Sequence, residues 1–410
     1  MRSPFTAAHR APPSKETPVP LAQSLDAITV DHLRSTGALK WSLPDEVTGA
    51  FVAEMDYGTS PAIVAALEQA VQVGCFGYPT PELAQELQEA TARRLAGAHG
   101  WEVAPEDVHP VPDVISVLEK AITLTTDPGT PVVVPTPAYM NFFNTIRGLD
   151  REVIEVPMVL DEQGLFRMDL PAIRAAITGS GAQLVTLCNP HNPTGRVFTR
   201  QELAELSEVI EQTGARVFAD EIWAPLVFSG HTHLPYASLS PRTAAHTITA
   251  VSASKGWNIP GLKCAQAVLS SDRDREAWAR IQPPSWHRVA PLGMVGTIAA
   301  YRDRSGWIEE VTAYIEDCTA MVADALARSA PAARMSRPQA TYVCWIDLSA
   351  LEVPAPASAH LQQAARLLPT DGASCGEVGR DHIRLIAAMP RPVLRESLER
   401  MTRELALRSR

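Results

Sequence analysis

The sequence predicts an α/β protein whose large domain holds a mainly parallel sheet, accompanied by a smaller α+β domain. Three observations carry this. Apolar segments of strand length, at residues 131–135, 183–188, 215–219 and 247–251, alternate with stretches of helical periodicity. Polar residues with chemical capacity, Asn192, Asp220 and Lys255, stand just after those segments, where parallel sheets bind their ligands. A chain of 410 residues is also too long for one simple core, so a large and a small domain are expected.

Composition narrows the function. With 46% hydrophobic and 20% charged residues, the chain reads as a soluble globular enzyme. A net charge of −10 argues against nucleic acid or an anionic membrane as the main partner. No apolar run reaches the length that spans a bilayer. The six cysteines are scattered without a C-x-x-C pair, which suits neither a zinc site nor a disulfide framework. Reduced thiols in the cytoplasm, and no metal, are the expectation.

The elements follow in order. Residues 1–20 are proline-rich and lack the apolar run of a secretory signal, which predicts a flexible arm. Residues 21–55 are assigned to the N-terminal part of the small domain, 56–290 to the large domain and 291–410 to the C-terminal small domain. The ordered part is expected to open at residues 36–41. A helix over 62–73, capped by Ser60 with Pro61 in its first turn, should bury Ile63, Leu67, Ala70 and Val71 and stop at Gly74. Tyr78 then sits on a rigid loop between Gly77 and Pro79. Further helices are predicted over 82–95 and 114–124. At the second, Asp113 is the N-cap, and Val114, Ile115 and Ser116 offer backbone N–H groups to an anion. Tyr139 follows the 131–135 strand, where its ring can lie flat on a ligand. The loop N-P-H-N-P-T-G, 189–195, is stiffened by its prolines and holds Asn192 in place. A helix over 200–212, with Leu203, Leu206, Val209 and Ile210 inward, leads to the 215–219 strand and Asp220-Glu221-Ile222. Helices at 293–303 and 307–328 and strands at 341–348 and 382–387 complete the chain, with a Pro/Ala-rich surface loop at 353–359.

The stretch S-A-S-K-G-W-N-I-P-G-L-K, residues 252–263, carries the chemistry. An amine at the end of a buried strand is held partly neutral, because burial disfavours the ammonium form, and a neutral amine can form a Schiff base with an aldehyde. Lys255 is that amine, and Ser252, Ser254 and Lys263 can hold an anion beside it. Pyridoxal phosphate (PLP) needs a lysine, a carboxylate for its ring nitrogen, an aromatic face and an anion site. Lys255, Asp220, Tyr139 and the Asn192 loop, with the small hydroxylated residues, supply that set.

N-P-H-N-P-T-G, A-D-E-I and S-A-S-K together resemble the signature of the fold-type I PLP enzymes, the aspartate aminotransferase superfamily. Within it, F-V-A-E-M-D-Y (51–57), C-F-G-Y (75–78), G-H-T-H-L-P-Y-A-S-L-S (230–240) and S-K-G-W-N-I-P-G-L (254–262) resemble the MalY/PatB-type cystathionine β-lyases. The resemblance runs from about residue 40 to Pro392 and implies a PLP-dependent transferase-like fold. It implies that Lys255 forms the Schiff base and moves the proton, with Asp220 and Tyr139 beside it as catalytic residues. Asp220 would meet the ring nitrogen, Asn192 the ring O3′, and Tyr139 the ring face. Val114, Ile115, Ser252, Ser254 and Lys263 would hold the phosphate, with Ile222 beside the cofactor. Arg384 would clamp the substrate carboxylate, with Trp223 and Asn192 also in contact with substrate. Tyr78 would reach the cofactor or substrate from the neighbouring subunit of a homodimer. The phosphate loop, P-D-V-I-S, lacks the glycine usual beside it; Lys263 stands where many aminotransferases have arginine, and Trp223 where the lyases often carry a smaller polar residue. The expected reaction is β-elimination from L-cystathionine or another L-cysteine S-conjugate, a small amino-acid substrate, giving a thiol, pyruvate and ammonia. An aminotransferase on the same scaffold is the alternative. A regulatory role through a protein partner is a third reading, which an intact set of cofactor contacts argues against.

Overall fold

A computed structural model describes residues 20–281 and 285–408; apart from Pro20, the arm expected at 1–20 lies outside the described residues. In chain order the strands are β1 Thr48–Ala50, β2 Val108–Val111, β3 Val132–Thr136, β4 Val153–Pro157, β5 Val159–Leu160, β6 Phe166–Arg167, β7 Leu184–Cys188, β8 Arg216–Asp220, β9 Thr247–Val251, β10 Ala265–Leu269, β11 Arg334–Met335, β12 Val343–Asp347, β13 Leu367–Asp371 and β14 His382–Ile386. The larger sheet runs β2-β10-β9-β8-β7-β3-β4. Its strands β9, β8, β7, β3 and β4 pair in parallel, while β10 is antiparallel to both neighbours.

Successive residues of a strand point to opposite faces, and the sequence uses that. Val132, Val134, Leu184, Phe218, Ile248 and Ala250 join one buried cluster, with Val117, Leu118, Ala121 and Ile122 of the helix Val114–Thr125. Val133, Val185, Leu187, Val217 and Ala219 join another, with Ile173 and Ile177 of Leu170–Ser180 and Leu203, Leu206, Val209 and Ile210 of Arg200–Thr213. The strands carry apolar residues on both faces because helices cover both. Each such side chain, fully buried, contributes roughly 1.5–3 kcal/mol. From β3 the chain steps outward to β4, then returns past β3 to β7 and proceeds the other way. The reversal opens a crevice at the carboxyl ends of β3 and β7, flanked by Tyr139 and the Asn192 loop.

The second sheet runs β1-β13-β14-β12-β11, with β1 parallel to β13 and the other pairings antiparallel. Chain segments from near both ends therefore share one sheet, and Arg384 lies on its middle strand β14.

Several local expectations hold. Ser60 accepts from the Ala62 N–H at the head of Pro61–Gln72, and Asp113 caps Val114–Thr125. Others need correction. Val71 is 49% exposed, while Ile63 and Ala70 are buried. At 100° per residue, position 71 falls about 80° from position 63, at the edge of the apolar stripe. Regular structure is already present at Leu21–Asp26 and Val30–Ser35, ahead of residues 36–41, in helices too short to show a period. Strand β10, A-Q-A-V-L, was hidden by Gln266, which is wholly buried because its Oε1 accepts from the Tyr301 hydroxyl at 3.1 Å.

Candidate active site

β9 ends at Val251, and the next residues turn on themselves. The Ser252 hydroxyl donates to the Cys264 carbonyl at 2.8 Å and accepts from the Ser254 N–H at 3.1 Å, while its oxygen lies 3.0 Å from Ser254 Oγ. This fold of the backbone presents Lys255, whose Nζ donates to the Ala53 carbonyl at 2.8 Å and lies 5.8 Å from the centre of the Trp223 ring. Gly256 has no room for a side chain: a Cβ there would stand 2.7 Å from Pro225 Cβ. Burial pushes the Lys255 amine down to about 8, helped by the nearby Arg384 charge and opposed by Glu54 and Asp220.

Asp220 closes β8 and is buried. Its carboxylate accepts from the Ile222 N–H at 3.1 Å. Desolvation pushes it up to about 7; the Ile222 bond and the Lys255 charge pull it down, and adjacent Glu221 raises it further. Glu221 itself is occupied elsewhere, by His233 Nε2 at 3.1 Å and the Tyr236 N–H at 2.8 Å. Asp220 is thus a buried carboxylate short of positive charge. Tyr139 sits within electrostatic reach of both Arg384 and Asp220, its hydroxyl accepting from Asn141 at 2.8 Å, and burial raises its pKa. Asn192 is buried with its Oδ1 unpartnered.

Among the described residues, Arg384 has no carboxylate partner. Its side chain is buried, its Nε has no hydrogen-bond partner, and Nη1 meets only the Met140 sulfur at 3.7 Å. Burial lowers its pKa. A buried guanidinium without a carboxylate is costly unless an anion arrives to pair with it.

At the other end of the crevice, Val114 and Ile115 occupy the first turn of Val114–Thr125. The Ser116 N–H, expected to be free, is taken by Asp113 at 2.9 Å, because a capping carboxylate bonds the third amide of its helix. Lys263, in the left-handed region with φ +51°, pairs with Asp113 at 3.3 Å and so links the Lys255 turn to that helix end. Trp223 is buried edge-on to Tyr342, ring centres 4.7 Å apart. Tyr78 is 85% exposed and joins none of these contacts among the described residues.

Sequence reasoning missed the floor of the site. The Ala53 carbonyl accepts from the Tyr342 hydroxyl at 2.9 Å as well as from Lys255, and Asn258 binds the backbone of Met55. F-V-A-E-M-D-Y was legible as a motif, but nothing in it shows that the Ala53 carbonyl accepts from both Lys255 and Tyr342.

The residues present fit the PLP set. An amine of lowered pKa, a buried carboxylate lacking a cation, an orphaned Asn192 oxygen and a helix start with lysine and serine beside it converge on one crevice. The family model for aminotransferase class I and II matches residues 51–401. The chain belongs to that family. Within the aminotransferase class I and II family, it is 32% identical to a cystathionine β-lyase of Corynebacterium glutamicum, over 91% of this chain and 98% of that protein. It is 31% identical to the cystathionine β-lyase PatB of Bacillus subtilis, over 90% and 97% respectively. A crystal structure of a candidate PLP-dependent β-cystathionase from Corynebacterium diphtheriae superposes with a TM-score of 0.86 at 34% identity, covering 93% of this chain and 99% of that one.

Proposed function

We propose that this protein is a PLP-dependent β-C–S lyase, taking L-cystathionine or another L-cysteine S-conjugate to a thiol, pyruvate and ammonia. The observation that carries the reading is the convergence of Lys255, Asp220 and an unpaired buried Arg384 on one crevice. The full-length likeness to two cystathionine β-lyases supports elimination over transamination.

PLP, when bound, supplies an aldehyde and a protonated ring able to accept the electron pair of an α-C–H bond. Lys255 offers the amine that holds it and then carries the proton at the substrate α-carbon, a task suited to a group poised near pH 8. Asp220, kept in place by the Ile222 N–H, would meet the protonated ring nitrogen, a cation for the buried carboxylate that lacks one. Asn192 would bind the ring oxygen and reach the substrate, and Tyr139 would cover the ring. Val114, Ile115, Ser252, Ser254 and Lys263 would hold the phosphate. Arg384 would clamp the substrate carboxylate, and Trp223 would wall the side chain.

The proposal includes a homodimer in the cytoplasm, with Tyr78 reaching the partner's site and residues 56–290 as the large domain. Exposed Val64, Val71, Val73, Phe76 and Tyr78 on and after Pro61–Gln72 support an interface there. Among the described residues, no helix is long and apolar enough to cross a membrane.

The deciding experiment incubates purified enzyme with L-cystathionine and no keto acid, following pyruvate and free thiol together. Sustained equimolar release is expected. A single turnover that resumes only on adding a keto acid would make the protein an aminotransferase.

A further inference from the structure

We propose that Glu54 is a specificity-determining residue, whose carboxylate receives an ammonium group on the distal arm of the sulfur substrate. The inference rests on the lyase reading and names the substrate class within it.

The backbone on both sides of Glu54 is pinned. The preceding carbonyl, of Ala53, accepts from Lys255 Nζ at 2.8 Å and the Tyr342 hydroxyl at 2.9 Å. The following residue, Met55, donates its N–H to Asn258 Oδ1 at 2.8 Å, and Asn258 Nδ2 donates to the Met55 and Gly58 carbonyls at 2.8 and 2.9 Å. Asn258 adopts a φ of +55° to do so. The backbone that carries the Glu54 side chain is thereby held in place relative to the reacting amine. Specificity depends on that kind of preorganisation.

The carboxylate is half-buried and, among the described residues, has neither a hydrogen bond nor an ion pair. The carboxylate two residues on is matched: Asp56 meets Lys40 at 3.0 Å and Trp41 Nε1 at 2.7 Å. Glu54 also lines a cavity of about 370 Å³, walled by Ile28, Leu33, Met55 and Tyr57, with His32 at its exposed side. A recess lined by apolar side chains, with Asp56 and Asn258 engaged elsewhere and the unpaired Glu54 carboxylate within electrostatic reach of Lys255, suits an arm that is aliphatic along its length and cationic at its end. L-Cystathionine has such an arm, and S-ethyl-L-cysteine has the same sulfur without the charge.

The test measures β-elimination from both compounds by wild type, Glu54→Gln and Glu54→Asp, and, in a Lys255→Ala background, their dissociation constants by tryptophan fluorescence. Glu54→Gln should lower kcat/KM for L-cystathionine about tenfold, mostly through KM, and change S-ethyl-L-cysteine less than about twofold. Glu54→Asp should recover part of the loss, and the dissociation constants should split the same way. Equal losses on both substrates would make Glu54 a counter-charge for Lys255 and overturn the proposal, as would no loss on either. Wild type that binds both compounds but eliminates neither would overturn the lyase reading, leaving the Glu54 contrast to be read from binding.

Discussion

Lys255, half-buried, and Arg384, buried, are both basic, yet burial serves them differently. For Lys255 it is an activator. The amine sits near 8 rather than at the ordinary 10.5, so its neutral form predominates above pH 8 and its protonated form below. The rate at which cofactor-free protein captures PLP should therefore rise with pH to a plateau, with a midpoint near 8. Stopped-flow absorbance reads this directly, and a midpoint near 10 would show an unshifted lysine. Arg384 cannot lose its proton at any working pH, so for it burial only stores a need for an anion. Arg384→Lys replaces a planar fork by a point charge. The loss of a charge-assisted hydrogen bond, roughly 1.5–3 kcal/mol, corresponds to about a 10- to 150-fold fall in kcat/KM. Unchanged kinetics in the lysine variant would remove Arg384 from the carboxylate site.

At the scale of the element, the strand ends set positions and the turns after them set aim. The loop after β7 closes through the His191 carbonyl, which accepts from the Gly195 N–H at 2.7 Å, and through the His191 N–H, which donates to Arg196 at 2.7 Å. Gly195 has a φ of +70°, and a Cβ on it would collide with Pro338, whose Cα stands 2.8 Å away. Gly195→Ala combines a left-handed strain of about 1–2 kcal/mol with an overpacking cost of about 1–3 kcal/mol. Chemical denaturation should show a loss of roughly 2–5 kcal/mol. Because Asn192 rides on this loop, PLP affinity should fall with it. An alanine variant of native stability would mean that the loop yields freely.

At the scale of the whole molecule, two sheets divide the labour. The larger supplies the crevice with Asp220, Asn192 and the Lys255 turn; the second supplies Arg384 from β14. The 53–58 segment joins them. Met55 is tied to Asn258, and the Tyr57 hydroxyl donates to the Met389 carbonyl at 2.8 Å. A third contribution comes from the proposed partner subunit. If Tyr78 acts across a dimer interface, Lys255→Ala and Tyr78→Ala chains, each weakly active alone, should complement when unfolded and refolded together. Half of the statistical mixture is then heterodimer with one intact site, so activity should return to about a quarter of wild type. Failure to complement while heterodimers form would place Tyr78 with its own subunit's site.

Sequence alone determined where the candidate groups stand along the chain. Alternating strands and helices, Asp220 and Asn192 after their strands, and Lys255 in its small-residue turn could be read because each is a local pattern: periodicity, a cap, a stiff loop. The motifs also carried the family. What only the tertiary structure decided is long-range. Arg384 was named only through the resemblance, and it is the fold that buries it without a carboxylate. Ser116 read as an open donor until Asp113 took it, and β10 was hidden by a glutamine whose partner lies in a distant helix. The Ala53 carbonyl, Tyr342 and Asn258 meet across some two hundred residues or more of chain. Local pattern specifies which elements form, because it acts within a few residues. Charge balance, burial and the aim of a side chain depend on what the fold brings alongside, and are fixed only once the chain has closed.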